Sequence, residues 1–449
     1  MSLLVKFRKT VIALTRVLVI LSITFGFIYM WQKGYREALF FQNGNYLVVA
    51  AFMFILLTFV KLYGGLRIGV FRLHELWYSL SIAIVFSNAL MYFVLCLIAR
   101  EILSLWPLLF GVTYQIIIAG IDSYCANSIY FSIYHARHIL AISGGEKKQL
   151  DIIKKMSRIP ERYSVDKSIS ADEASLEEIY AEIDKYEAIL IFDFDVAKKD
   201  AILRYCYAKR KRIYLVPSTN DIILNSAHQS QISDTPVLMC RNHGLTMEQM
   251  IMKRIMDIVV SGIMLIVASP IMLVTAIAIK LGDGGHVFFK QNRVTRDGKI
   301  FNVLKFRSMY ESDNTKDLRF ARKNDDRITP VGKVIRACRV DELPQLINVL
   351  KGDMSLVGPR PERSAIVYEF TKEFPEFDLR HRVKGGLTGY AQIYGKYNTT
   401  PKDKLKMDLM YIEKYSILLD IKLLFMTFKI LFMKESTEGF ENEEERTEE

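Results

Sequence analysis

Four apolar stretches open the chain, at residues 11–31, 46–60, 77–99 and 102–121. Crossing a bilayer takes about 20 apolar residues in a helix, and lipid leaves no partner for an unpaired backbone group. Stretches of this kind therefore dictate a helical bundle in a membrane. The third and fourth reach spanning length outright. The first carries Arg16, which can snorkel. The second needs Leu62 and Tyr63, past Lys61, to reach it. With 51% hydrophobic residues and a mean hydropathy of +0.16, the rest of the chain does not contradict this. The first stretch is too long for a leader and lacks a small-residue cleavage site, so it is expected to stay as an anchor.

Loop charges orient such a bundle. Lys6, Arg8 and Lys9 precede the first span; Lys61, Arg67 and Arg72 follow the second; Arg137, Lys147 and Lys148 follow the fourth. The opposite loops hold only Lys33, Arg36 and Arg100. Both ends of the four-span region, 1–134, are expected in the cytoplasm. The formal net charge is +11 even though residues 435–449 carry eight Glu and one Arg. That tail is expected to be disordered. A basic chain with apolar spans suits anionic headgroups or a phosphorylated substrate. Nucleic acid is not expected, because no basic run is interleaved with aromatics. The five cysteines are scattered and show no zinc-ligand spacing, which predicts free thiols.

From 135 to 245 the period changes. "HILAIS", "AILIFDF" and "RIYLVP" read as buried strands, alternating with helical "EKKQLDIIKKMSR", "SLEEIYAEIDKY" and "DAILRYCYAKRK". That alternation predicts a doubly wound parallel sheet. Its first turn is Ser143-Gly144-Gly145, without the glycine spacing that lets a diphosphate approach. Tyr205 and Lys209 have YxxxK spacing, but with no cofactor fingerprint a structural or regulatory domain is expected.

A fifth apolar stretch, 256–282, has cytoplasmic-type charge on both flanks: Lys253 and Arg254 before it, Lys290, Arg293 and Arg296 after. Ser269-Pro270 sits near its middle. A proline there frees a carbonyl, and the Ser269 hydroxyl offers a replacement donor. Charge leaves two readings open, a kinked span and a helix that enters and leaves on one face. Residues 246–434 then read as a compact α/β catalytic domain. Its strands are "HVFFKQNRV" and "IFNVLKFRSM", and it ends in an apolar, lysine-bearing helix at 409–433, suited to the membrane interface or to a core.

The chemistry is expected at "RACRVDELPQLINVLKGDMSLVGPRPE". Pro344 suits only a first helical turn, so Asp341 and Glu342 should sit where a helix begins, a place that favours anions. Acids there are commonly caps. The surroundings argue for more. Arg336 and Arg339 flank the pair, Arg360 is fixed between two prolines, and Lys305 and Arg307 share a face if extended. Converging cations beside two carboxylates suit phosphate handling, and Mg²⁺ would accept these oxygen ligands.

As an ordered set, "KRIMDIV…ASP", "VFFKQNRVTRDGKIFNVLKFRSM", "DDRITPVGKVIR", "DELPQLINVLKGDMSLVGPRPE", "GLTGYAQIYGK" and "DLMYIEKYSILLDIKLL" resemble the bacterial sugar transferases, in their large monotopic phosphoglycosyl transferase form. The resemblance covers about residues 250–433. It departs at Arg339-Val340 and at Gly385, neither of which removes a chemical group. It implies that Asp341 attacks the β-phosphorus of a UDP-sugar, expels UMP and passes the sugar phosphate to undecaprenyl phosphate in the cytoplasmic leaflet. It implies that Glu342 and Asp341 hold Mg²⁺, that Arg336, Arg339 and Arg360 offset charge, and that Lys305 and Arg307 position phosphates. Asp408 takes a supporting role, and Ser269-Pro270 is the break of a re-entrant helix. Glucose or galactose 1-phosphate is the expected cargo, with an N-acetylated hexosamine open. The implied setting is the bacterial inner membrane, with membrane lipids and further copies of the chain as the other candidate partners. The readings from other classes are a membrane-anchored nucleotide-sugar oxidoreductase and a non-catalytic scaffold.

Overall fold

The computed structural model describes residues 7–40, 43–144, 146–157, 159–192, 194–240, 244–310, 327–395 and 399–431. The tail at 435–449 lies outside them. The chain divides into two compact units, Met1–Pro217 and Ser218–Glu449.

The first unit opens with four helices, α1 (Arg8–Gly34), α2 (Gly44–Tyr63), α3 (Leu73–Ala99) and α4 (Leu105–Ile133). Each is long and apolar enough to cross a membrane. They bury Ile23, Phe27, Phe52 and Leu56 against one another, with the Phe27 and Phe52 rings stacked at 3.9 Å, while Leu14, Phe25, Phe54 and Phe93 face outward. Apolar side chains on both the inside and the outside are what lipid as solvent permits. Inside, Asn88 donates to Gln115 at 2.6 Å and joins α3 to α4.

After them β1 (Arg137–Ser143), α5 (Glu146–Ser157), β2 (Tyr163–Ser170), α6 (Leu176–Ile183), β3 (Ala188–Phe192), α7 (Val196–Ala208) and β4 (Arg212–Leu215) form a parallel sheet of order β2-β1-β3-β4. This is the expected doubly wound arrangement. β2 is the strand that the apolar pattern did not announce. It lies at an edge, with Asp166 and Lys167 exposed, so it needs no apolar run. Tyr205 and Lys209 both bond Asp184 at the surface, at 3.0 and 3.4 Å, which gives the YxxxK pair a structural role.

In the second unit come α8 (Thr219–Ser226), the β5–β6 hairpin (His228–Ile232, Thr235–Met239), α9 (Met247–Asp283), an antiparallel pair β7 (Phe288–Val294) and β8 (Ile300–Phe306), α10 (Pro330–Ala337), α11 (Gln345–Lys351), β9 (Ser355–Val357), α12 (Ser364–Glu373), β10 (Gly386–Thr388), α13 (Tyr390–Tyr394), α14 (Pro401–Glu413) and α15 (Ile417–Leu431). Leu346, Val349, Leu356, Val357, Leu409 and Leu423 form its core. Ile222 of α8 belongs to that core, and Ser226 donates to Glu413 at 3.0 Å, so α8 groups with this unit. The segment read as one late helix is two, α14 and α15, parted at Lys414–Ser416.

α9 stays α-helical through Ser269-Pro270. Pro270 removes the N–H that would have reached the Ile266 carbonyl, and the Ser269 hydroxyl donates to that oxygen at 2.8 Å. The expected break at Ser269-Pro270 stays within the helical run, with the freed carbonyl taken up by the Ser269 hydroxyl. Ile263, Ile266, Val267, Leu273 and Val274 are exposed along its middle. Both ends are fastened to the same unit. Near one end Lys253 pairs with buried Asp420 at 2.6 Å, Arg254 donates to the carbonyls of Val349 and Leu350, and Asp257 accepts from Ser355 Oγ and Leu356 N. Near the other, Ile279 packs with Phe306 and Ile335.

Candidate active site

Thr329 caps α10 by accepting from Gly332 N, and Pro330 fills the first turn. The helix ends at Ala337. Arg339 then turns the chain with φ of 54°, a left-handed conformation that costs a non-glycine residue energy unless its surroundings enforce it. Asp341 and Glu342 follow within one 3-10 turn, Val340–Glu342. Pro344 stands just before α11, not inside its first turn, and no side chain caps that helix. The acids are where a helix begins, but they are not its caps.

Glu342 is clamped. Its Oε1 accepts from Lys305 Nζ at 2.8 Å and from Arg360 Nη2 at 3.3 Å. Burial alone would raise its carboxyl. Arg360 and Lys305, with Arg339 behind them, outweigh burial and hold it well below the usual range. Glu342 in turn raises the Arg360 guanidinium. Asp341 behaves in the opposite way. Burial, then the charge of Glu342, push its carboxyl up against the pull of Lys305 and Arg336. Two neighbouring acids are thus split, one a fixed ion-paired anion and the other the more basic carboxylate.

The structure brings Lys305, Arg336, Arg339 and Arg360 to the acids. Arg307 lies one residue past the end of β8 and continues its pairing with the strand before it. Arg307 bonds through its backbone to Val287 O, and a Cβ added at Gly285 would collide with its guanidinium. Ser269 and Pro270 lie in the exposed middle of α9. Asp408 is buried and pairs with buried Arg380 at 2.8 Å. Sequence reasoning missed Arg380 as well as Arg293, which sits 3.5 Å from Glu362. In the sequence Arg293 is one of several basic residues after the fifth apolar stretch, and Arg380 stands beside His381 and Arg382 with no spacing to single it out.

A profile described as "Bacterial sugar transferase" matches residues 248–434. A Bacillus subtilis (strain 168) protein named "Uncharacterized sugar transferase EpsL" is 38% identical over 187 residues, which cover 41% of this chain and 90% of that one. The chain belongs to the bacterial sugar transferase family. It is similar to the Aeromonas hydrophila "UDP-N-acetylgalactosamine-undecaprenyl-phosphate N-acetylgalactosaminephosphotransferase", 44% identical over 183 residues, 40% of this chain and 43% of the relative. It is similar also to the Escherichia coli (strain K12) "UDP-glucose:undecaprenyl-phosphate glucose-1-phosphate transferase", 37% identical over 220 residues, 48% of this chain and 47% of the relative. The chain thus spans less than half the length of these two relatives. As a bacterial sugar transferase with several long apolar helices, it is a membrane protein.

The site of this sugar transferase suits a hard divalent cation. It offers two adjacent carboxylates, and one oxygen of Glu342 is committed to Lys305 and Arg360. Among the described residues no three His, Cys, Asp or Glu side chains form a metal-holding group. A cation here would need substrate phosphate to complete its shell, which is how Mg²⁺ is usually held.

Proposed function

We propose that this chain transfers a sugar 1-phosphate from a UDP-sugar to undecaprenyl phosphate and releases UMP, the first membrane step of exopolysaccharide, capsule or O-antigen synthesis. The observation that carries the reading is the unequal acid pair. Glu342 is tied to Lys305 and Arg360, and Asp341 beside it is left out of that clamp.

In this reading an Asp341 oxygen attacks the β-phosphorus. The bond from that phosphorus to the bridging oxygen breaks, and UMP leaves with the oxygen. The sugar phosphate is then an acyl phosphate on Asp341. An oxygen of undecaprenyl phosphate attacks the same phosphorus, the acyl bond breaks, and Asp341 is returned as carboxylate. One diphosphate linkage is lost and one made, so no nucleoside triphosphate is consumed. Arg336, Arg339 and Arg360 offset charge building on the phosphoryl oxygens, and Lys305 and Arg307 hold the diphosphate. Mg²⁺, held by Asp341 and Glu342 with the diphosphate, would supply further charge neutralisation. The family match and the relatives' names support the donor and acceptor classes.

The reading places the chain in the bacterial inner membrane, with the catalytic unit on the cytoplasmic face and α9 re-entrant. The fastening of both ends of α9 to one unit supports that geometry. Asp257 and Ile279, on either side of Ser269-Pro270, each meet residues of that unit, and the apolar stretch between them is exposed. Glucose or galactose is the proposed sugar. The Aeromonas relative favours N-acetylgalactosamine as a second reading.

The test is UMP release from a panel of UDP-hexoses and UDP-N-acetylhexosamines, with undecaprenyl phosphate and magnesium. Asp341→Asn is expected to abolish release, a loss of about 10⁴-fold or more. Near-normal turnover in that variant would remove Asp341 as nucleophile.

A further inference from the structure

The segment Pro359–Glu362 presents Arg360 to Glu342, and two of its four residues are prolines. With no N–H at two of the four positions, its carbonyls take a larger share in holding it. Each of the four is held. Gly386 N donates to Pro359 O at 2.8 Å and Val294 N to Glu362 O at 3.0 Å. The two between them take arginine side chains: Arg380 Nη2 donates to Arg360 O at 2.9 Å, and Arg293 Nη1 to Pro361 O at 3.0 Å.

Arg380 is 3% exposed. Its guanidinium lies 2.8 Å from the Asp408 carboxylate, whose side chain is 1% exposed, and 4.8 Å from the Phe377 ring centroid. A buried ion pair is a weak source of stability, because desolvation offsets its attraction, so its retention asks for another reason. Here the pair fixes a donor on the carbonyl of the very residue whose side chain clamps Glu342.

We propose that Arg380, locked by Asp408, is a positioning residue for the reaction: it holds the backbone of Arg360 so that the Arg360 guanidinium meets Glu342 and the diphosphate. Arg380 does not act on substrate itself. Its effect on turnover passes through Arg360. The turnover arm below rests on the transferase reading; the exchange arm does not.

The experiment uses the full chain in lipid nanodiscs. Arg380→Met keeps the stem and removes the donors. It is expected to lower kcat for UMP release about a hundredfold, the scale of a one-ångström misplacement. In an Arg360→Ala background the same change is expected to cost less than about threefold, because the two act as one unit. Equal losses in both backgrounds, or no loss in the parent, would overturn the proposal. Should Arg380→Met fold poorly, Asp408→Asn replaces it in the same cycle with the same expectation. The second measurement needs no turnover: hydrogen exchange at the Gly386 and Val294 amides, which donate to Pro359 O and Glu362 O, is expected to quicken in Arg380→Met while Leu356 and Val357 keep their protection. Unchanged exchange at Gly386 and Val294 sinks the idea even if the chain proves to act on another donor. A parent chain that releases no UMP while exchange responds as expected would instead count against the transferase reading alone.

Discussion

Asp408 ties the site to pH. Burial pushes its carboxyl up to about 6; Arg380 opposes this, Glu362 adds to it and Lys404 opposes it. On acidification through that value Asp408 takes a proton, its hold on Arg380 weakens, and Arg360 loses its backbone anchor. UMP release is expected to fall on the acid side with an apparent pKa near 6. Stability should move the other way. The folded carboxyl binds its proton more tightly than the unfolded one, at about 3.9, so in the window between the two values the native state holds more protons. This group's contribution therefore declines as pH rises through that window. Asp408→Asn is expected to flatten both slopes. A pH–rate profile and thermal melts at matched pH check the pair of signs, and an acid limb that persists in Asp408→Asn would assign it to another group.

At the scale of elements, α9 carries its own prediction. Met247, its first residue, and Asp297, beyond its end, are both exposed. In a background without the five native cysteines, a cysteine at either position is expected to react with a membrane-impermeant maleimide only after the cells are opened. Labelling of one of them in intact cells would make α9 a plain span. The same scale shows what could be read from the chain beforehand. The long apolar helices, the inner strands of the parallel sheet and the acid pair were legible because each is announced locally, by an apolar run or by prolines beside charges. Lys305 reaches Glu342, and the guanidinium of Arg307, two residues on, lies beside Gly285. Ser269 was recognised as a donor, but the outcome, a helix left continuous, depends on where its hydroxyl points. Arg380 was missed because its function is a bond to a carbonyl 20 residues earlier in the chain, and no local pattern encodes that.

For the molecule as a whole, the two units set the expectation. The family match begins at residue 248 and lies within the second unit, and the Bacillus relative is 90% covered by a match of 187 residues. A fragment 218–449 is expected to fold in lipid and to release UMP within about tenfold of the full chain, since it keeps α9, the acid pair and the segment holding Arg360. The cut belongs at 218 because Ile222 sits in the core of the second unit. A fragment starting at 246 is expected to be less stable by about 2–5 kcal/mol, the scale of losing one buried isoleucine, and so to melt lower. Melting curves and UMP release on both fragments check this; a well-folded but inactive 218–449 would give the first unit a direct part in turnover.

The fastening of both ends of α9 has one more consequence. A helix that crosses a bilayer must match the thickness of two leaflets and tilts when it does not. On the re-entrant reading proposed for α9, the anchor meets a single leaflet, and its depth is set by its own exposed apolar surface. The height of Asp341 above the lipid phosphates then becomes a property of the protein. It should stay constant as acyl chains lengthen or shorten, so the carboxylate would meet a lipid phosphate at the same level in thin and thick membranes alike.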